Sequence, residues 1–242
     1  MFLERMTSTE IRQLHGRLNL VVPFGSVEAH GPHLPLGTDT IIANAVLQNL
    51  SSDVHNKIVI CPFFNVTPIN FVRYTSEDGE ANIRLSINSW VEHIFDVVKC
   101  YFEAYKARRI LFVGWHDTYE FIGGLRQVCY RLKEKTGMSF DALRLWIIAK
   151  EYALKNNIIG LEERHAAKIE TSIIQLLEPN LVKKDLEQNI PWNQNSYLAV
   201  DWASFTNIGI YGNAIGSSAE VGQKIFDFLV SESTRIILDY FS

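Results

Sequence analysis

The run VEAHGPHLPLGTD, residues 27–39, places two carboxylates, Glu28 and Asp39, and two imidazoles, His30 and His33, in a span without lysine or arginine. Negative charge gathered this closely is costly unless a cation shares it. In extended backbone, side chains two positions apart point the same way, so Glu28 and His30 share a face. Gly31, Gly37 and the two prolines let the chain fold back and bring Asp39 to them. His116, in a later segment, offers a second imidazole. Mixed nitrogen and oxygen donors without thiolate suit Zn²⁺, Mn²⁺ or Fe²⁺ and leave positions for water. Several carboxylates around one centre favour two cations sharing a bridging carboxylate. The residues alone leave a plainer reading open: hydrogen-bonded structural histidines, with Glu28 capping a helix that begins near Thr40. His15, His55 and His93 are read as structural or surface residues.

These residues need a scaffold that brings distant segments to one edge. Apolar runs at Leu18–Phe24, Lys57–Phe63, Arg109–Gly114 and Arg144–Ala149 predict strands covered on both faces. Helical spacing predicts helices over Thr40–Leu50, Asn88–Ala107, Tyr119–Lys135, Ala166–Leu177 and Ser218–Phe241. Alternating strands and helices imply one three-layer α/β domain spanning residues 1–242, with a parallel or mixed central sheet. Glu187–Ser196 reads as an excursion loop. Ligands in such folds collect beyond the carboxyl ends of strands, where Glu28, His30, His116 and Asp117 fall.

Composition narrows the function classes. The 242 residues are 47% hydrophobic and 21% charged, with a net charge of −4. No basic cluster offsets that charge, which argues against a sequence-independent grip on nucleic acid. Cys61, Cys100 and Cys129 are odd in number and widely spaced, which fits reduced thiols in the cytoplasm. No apolar stretch is long enough to span a membrane.

VPFGSVEAHGPHLPLGTDT closely resembles the signature of the creatininase (creatinine amidohydrolase) family, and further matches follow in order. ILFVGWHD resembles its strand and Asn-Gly-His-Gly-Gly-Asn loop, RHAAKIETSIIQLLEPNLV its His-Ala-Gly-x-x-Glu-Thr-Ser helix, and NIGIYGNAIGSSAEVGQKIFDFLVS its closing turn and helix. The resemblance covers nearly the whole chain. It implies an α/β/α sandwich with a dinuclear centre that hydrolyses C–N bonds of small, often cyclic, amides through a bridging water. It carries metal ligation to Glu28, His30, Asp39 and His116, with Asp39 as the bridge, and to Glu170. It carries proton transfer to His165 and a supporting role to His33, whose ring N–H would fix a ligand. It further implies a ring-shaped homo-oligomer such as a hexamer. The same centre also suits amide formation or ring opening in a biosynthetic step, and a degenerate member would serve as a non-catalytic metal-binding interaction protein.

Departures from the family pattern bear on the substrate. The loop reads Gly114-Trp115-His116-Asp117-Thr118-Tyr119, so Thr118 stands where creatininase has a metal-binding glutamate and Asp117 replaces a glycine. Asp117 is either a ligand or the N-cap of the following helix. Arg164 replaces an acidic residue; it would attract a substrate carboxylate or phosphate, or pair with Glu162 or Glu163. Asn70–Leu85 lacks the family's His…Pro-Gly-Thr pattern, which argues against creatinine itself as the substrate.

Overall fold

The computed structural model describes residues 1–69, 82, 83, 85–190 and 208–242. Most of the Asn70–Leu85 segment, and the Glu187–Ser196 loop from residue 191 onward, lie outside the described residues. Four strands form a wholly parallel sheet: β1 (Asn19–Phe24), β2 (Val59–Ile60), β3 (Arg109–Gly114) and β4 (Asp141–Arg144), in the order β2-β1-β3-β4. Of the expected Lys57–Phe63 strand only Val59–Ile60 joins the ladder. A short antiparallel pair, β5 (Asn189–Ile190) with β6 (Gly212–Asn213), stands apart from the sheet.

The β1 sequence NLVVPF is buried at every position because its alternate side chains enter different cores. Val21, Ile60, Leu111, Val113 and Leu143 face one side. There they meet α2 (Thr38–Gln48), α6 (Leu145–Lys155), α7 (Lys168–Leu177) and α8 (Ala219–Tyr240). Leu20, Val22, Phe24, Ile110 and Phe112 face α4 (Ile87–Tyr105) and α5 (Tyr119–Thr136) on the other. The result is the three-layer α/β/α arrangement expected from the sequence. Two short helices, α1 (Ser8–Gln13) and α3 (Ser52–His55), complete the α-helices among the described residues. Among the described residues, no helix is long and apolar enough to cross a membrane.

One strand expectation fails. Arg144 ends β4, and Leu145–Lys155 is the helix α6, not the strand Arg144–Ala149. Leu145, Trp146, Ala149 and Ala153 are buried on one helical face, and Ile147 and Ile148 are half-buried beside it. A short apolar run does not by itself distinguish a doubly covered strand from a buried helix.

Helices α7 and α8 pack so closely that a Cβ at Gly222 would lie 2.1 Å from the Ser172 carbonyl oxygen. Gly222→Ala is expected to destabilise the protein by roughly 1–3 kcal/mol through overpacking. Thermal unfolding checks this; an unchanged midpoint would contradict the packing described.

The strand order reverses direction between β1 and β3, where ligands collect beyond the carboxyl ends in open α/β sheets. Phe24 pairs with Gly114 at that end, so the chain leaving β1 and the chain leaving β3 emerge side by side. Glu28 and His30 follow the first, and His116 follows the second.

Candidate metal centre

After β1 the chain turns back on itself. The Glu28 N–H donates to the Leu36 carbonyl over 3.1 Å, and Thr38 Oγ1 donates to the Pro35 carbonyl over 2.7 Å. Gly31 takes a φ of +65°, open to glycine, and a Cβ there would strike Ile210 and His33. This hairpin-like return delivers Asp39, in the first turn of α2, to Glu28 and His30.

Both candidate imidazoles are oriented by carbonyl groups, which only accept hydrogen bonds. His30 Nδ1 lies 3.0 Å from the Glu28 carbonyl, so it carries the hydrogen and leaves Nε2 as the lone-pair nitrogen. That Nε2 is 3.1 Å from Asp39 Oδ1 and 3.9 Å from Glu170 Oε1. His116 is arranged in the opposite sense. Its Nε2 lies 3.1 Å from the Pro68 carbonyl, and its Nδ1 points inward, 3.1 Å from Glu28 Oε1 and 3.0 Å from Asp39 Oδ2. Anchoring one ring nitrogen so that the other is free is the usual outer support of a histidine ligand.

Besides a triad of Glu28, His30 and the half-buried His165, the donors form two fully buried triads, Glu28–Asp39–His116 and His30–Asp39–Glu170, each with ligating atoms within 4.8 Å of one another. Asp39 belongs to both, one oxygen directed to each imidazole. All five side chains are buried. Burial alone would favour neutral rings, but Asp39, Glu170 and Glu28 outweigh it and push His30 up to about 10. His116 likewise rises well above its ordinary value despite burial, through Glu28 and Asp39. Burial opposes ionisation of Asp39, yet the two rings hold it below the usual carboxylate range. Three buried carboxylates thus draw protons onto both rings, and divalent cations would supply the same compensation while displacing those protons. The donor set fits two such ions.

Glu170 is fixed from two sides. Its Oε1 accepts from Trp115 Nε1–H over 2.7 Å, and its Oε2 accepts from the Ala166 N–H. Ala166 holds a left-handed φ of 50°, a conformation of modest cost for a residue with a Cβ. Trp115 is buried and packs edge-on against Trp146. Its role escaped the sequence reading because a tryptophan ending an apolar strand reads as core; its place immediately before His116 was the available signal. Trp115→Phe keeps the ring and removes the donor, so affinity for one of two ions is expected to fall roughly 10–100-fold. Metal titration followed by calorimetry checks this; two unchanged affinities would contradict it.

His165 lies beside the centre, its ring centroid 4.3 Å from that of His30. Its Nε2 donates to the Ala29 carbonyl over 3.0 Å, and its backbone pairs with Tyr211. Glu28, Asp39, His116, His165 and Glu170 together line a cavity of about 390 Å³.

Comparison with known proteins agrees with this architecture. The creatininase family, described as creatinine amidohydrolase, matches residues 4–237. The chain belongs to the creatininase family. Among curated relatives of this creatininase-family chain, the mycofactocin precursor peptide peptidase of Mycobacterium ulcerans (strain Agy99) is 24% identical over 224 residues, covering 88% of this chain and 82% of the relative. The protein of that name from Mycolicibacterium smegmatis (strain ATCC 700084 / mc(2)155) is 25% identical over 244 residues, covering 93% and 86%. A solved structure described as creatininase with Mn superposes with a TM-score of 0.80 at 20% identity, covering 99% of this chain and 98% of that one. A structure of creatinine amidohydrolase gives the same TM-score and identity over 99% and 97%. The family and fold are thereby established, and with them metal-dependent amidohydrolase chemistry as the general class.

Where this creatininase-family chain departs from the family pattern, the structure redefines several roles. Asp117 is neither a ligand in the described triads nor the N-cap of α5. Its carboxylate takes a bidentate pair from Arg144, with Nε–Oδ1 at 2.6 Å and Nη2–Oδ2 at 2.7 Å. Thr118 is the N-cap, accepting from the Phe121 N–H, and its hydroxyl lies 3.1 Å from His116 Nε2. It therefore supports a candidate ligand histidine. His33 does not donate to a ligand as expected; its Nε2 meets Thr171 Oγ1 at 2.9 Å, tying the first motif to the helix that carries Glu170. Arg164 lines the cavity, its Nη1 donating to the Leu161 and Glu163 carbonyls. Glu163, unassigned by the sequence, is buried and pushed up to about 7 by that burial, and it accepts from the Ile169 N–H at the start of α7.

Proposed function

We propose that this chain hydrolyses an amide C–N bond with two divalent cations, of zinc, manganese or iron, bridged by Asp39. Glu28, His30, His116 and Glu170 complete the ligand set. The observation that carries the reading is Asp39, whose two oxygens face His30 and His116 and which joins two fully buried donor triads beside a cavity. Held there, two such cations would supply Lewis acidity and activated water for hydrolysis.

The protein's own groups account for the remaining requirements. The carbonyl hydrogen bonds to His30 and His116 hold each ligand tautomer before substrate arrives. His165 has Nε2–H committed to Ala29, which leaves its other nitrogen to pass a proton to the departing amine. An idle centre would need neither the intact triads nor this histidine, which favours an enzyme over a non-catalytic binding protein.

A cavity of about 390 Å³ suits a small amide or the end of a peptide. The peptidase name of the two long-matching relatives supports a peptide bond alongside the small cyclic amides suggested by the family. The test strips the protein with chelator, reloads Zn²⁺, Mn²⁺ or Fe²⁺, and assays cyclic amides, formamides and short peptides by product mass. Turnover that is lost with chelator and restored by metal is expected. No turnover with two ions bound, or turnover independent of metal, would contradict the proposal, and a condensed product would reveal amide formation instead. The homo-oligomer implied by the family is checked by light scattering.

A further inference from the structure

The loop that leaves β3 is gripped from the strand beside it. Gly114, the last residue of β3, pairs in the ladder with Arg144, the last residue of β4. On its other flank Gly114 pairs with Phe24, so closely that a Cβ there would lie 3.2 Å from the Phe24 carbonyl oxygen. Three residues later the Asp117 carboxylate receives the Arg144 guanidinium, with Nε–Oδ1 at 2.6 Å and Nη2–Oδ2 at 2.7 Å. One residue of β4 therefore holds both ends of the segment Gly114–Asp117. Trp146, in the first turn of α6, adds a third hold by packing edge-on against Trp115, ring centroids 5.6 Å apart.

The two residues inside that segment serve different donor triads. Trp115 Nε1–H donates to Glu170, which belongs with His30 and Asp39, whereas His116 itself belongs with Glu28 and Asp39. Stability alone is a weak reason for the Arg144–Asp117 pair. The Arg144 side chain is 42% exposed and that of Asp117 12%, and ion pairs open to solvent add little to folding free energy. A bidentate pair supplies geometry instead, because two parallel bonds fix the orientation of the carboxylate as well as its distance. Asp117 also stands where the family pattern has a glycine, so the grip comes from this chain's own sequence.

We propose that Arg144 is a positioning residue for both metal positions: by gripping Asp117 it fixes the loop from which Trp115 and His116 reach the two triads. Loss of any one donor acts on the triads to which that donor belongs. Loss of the grip acts on both at once, because Trp115 and His116 are adjacent and move together with the loop. Arg144 touches none of the five candidate ligands through a printed ion pair of its own, and its effect passes through Asp117. The proposal rests on the dinuclear reading and adds what holds its geometry.

The test strips the full-length chain with chelator and titrates Zn²⁺ by calorimetry into wild type, Arg144→Gln, Asp117→Ala and the double variant. Arg144→Gln is expected to weaken both ions about tenfold, the lower end of what losing an outer support of a ligand costs. Asp117→Ala should do the same. The double variant should fall no further than the weaker single variant, since both substitutions remove one contact. The unfolding midpoint of the metal-free protein should move little in all three. Unchanged affinities, weakening confined to one ion, or losses that add in the double variant would each overturn the proposal. A lowered midpoint with both affinities intact would also overturn it, by making the pair purely structural. Failure of the dinuclear reading shows separately, as a wild type that takes up fewer than two ions.

Discussion

Asp39→Ala is expected to empty both metal positions and lower kcat/KM by roughly 10³-fold or more, since losing even an outer support of a metal ligand costs about 10–100-fold. The reason is geometric. Asp39 Oδ1 faces His30 at 3.1 Å and Oδ2 faces His116 at 3.0 Å, so one side chain completes both triads. Glu28 and Glu170 belong to different members of that pair of triads. Glu28→Ala and Glu170→Ala should therefore each lose about one ion where Asp39→Ala loses two. Elemental analysis after dialysis reads the three outcomes side by side. Asp39→Asn preserves shape and removes charge, which separates ligand loss from misfolding. Two ions retained in Asp39→Ala would mean that its carboxylate is not the bridge.

His165→Ala is expected to lower kcat by roughly 10²–10⁴-fold, the usual worth of a positioned proton donor, while metal content stays at two. His165 also has a nitrogen close enough to Glu28 and His30 to form a third possible ligand triad. Metal analysis therefore decides between the two roles. A second comparison is more specific. An ester analogue of an amide substrate departs without needing a protonated nitrogen, so it should lose far less in the variant than the amide does. Equal losses on ester and amide, or the loss of an ion, would remove His165 from proton transfer.

The metal donors were legible in the sequence because their chemistry is local. Glu28, His30 and Asp39 lie within one short return of the chain, whose glycines and prolines announce that return. The buried strands β1 and β3 were legible for a similar reason: continuous apolar runs suit a sheet covered on both faces. The same logic misassigned Leu145–Ala149, because a run buried in a helix reads alike when it is short. Roles that depend on tertiary neighbours were hidden. Asp117 was placed correctly at the end of β3, but its partner Arg144 comes from the adjoining strand β4. The bond from Trp115 to Glu170 and the one from His33 to Thr171 each join distant segments, with no spacing rule to reveal them.

The central claim is that one carboxylate joins two metal positions. Crystals of the protein reloaded with Zn²⁺ or Mn²⁺, measured at that metal's absorption edge, test it most directly. The account predicts two anomalous peaks flanking Asp39, one among Glu28, Asp39 and His116 and the other among His30, Asp39 and Glu170. A single peak, or peaks that do not touch Asp39, would contradict it.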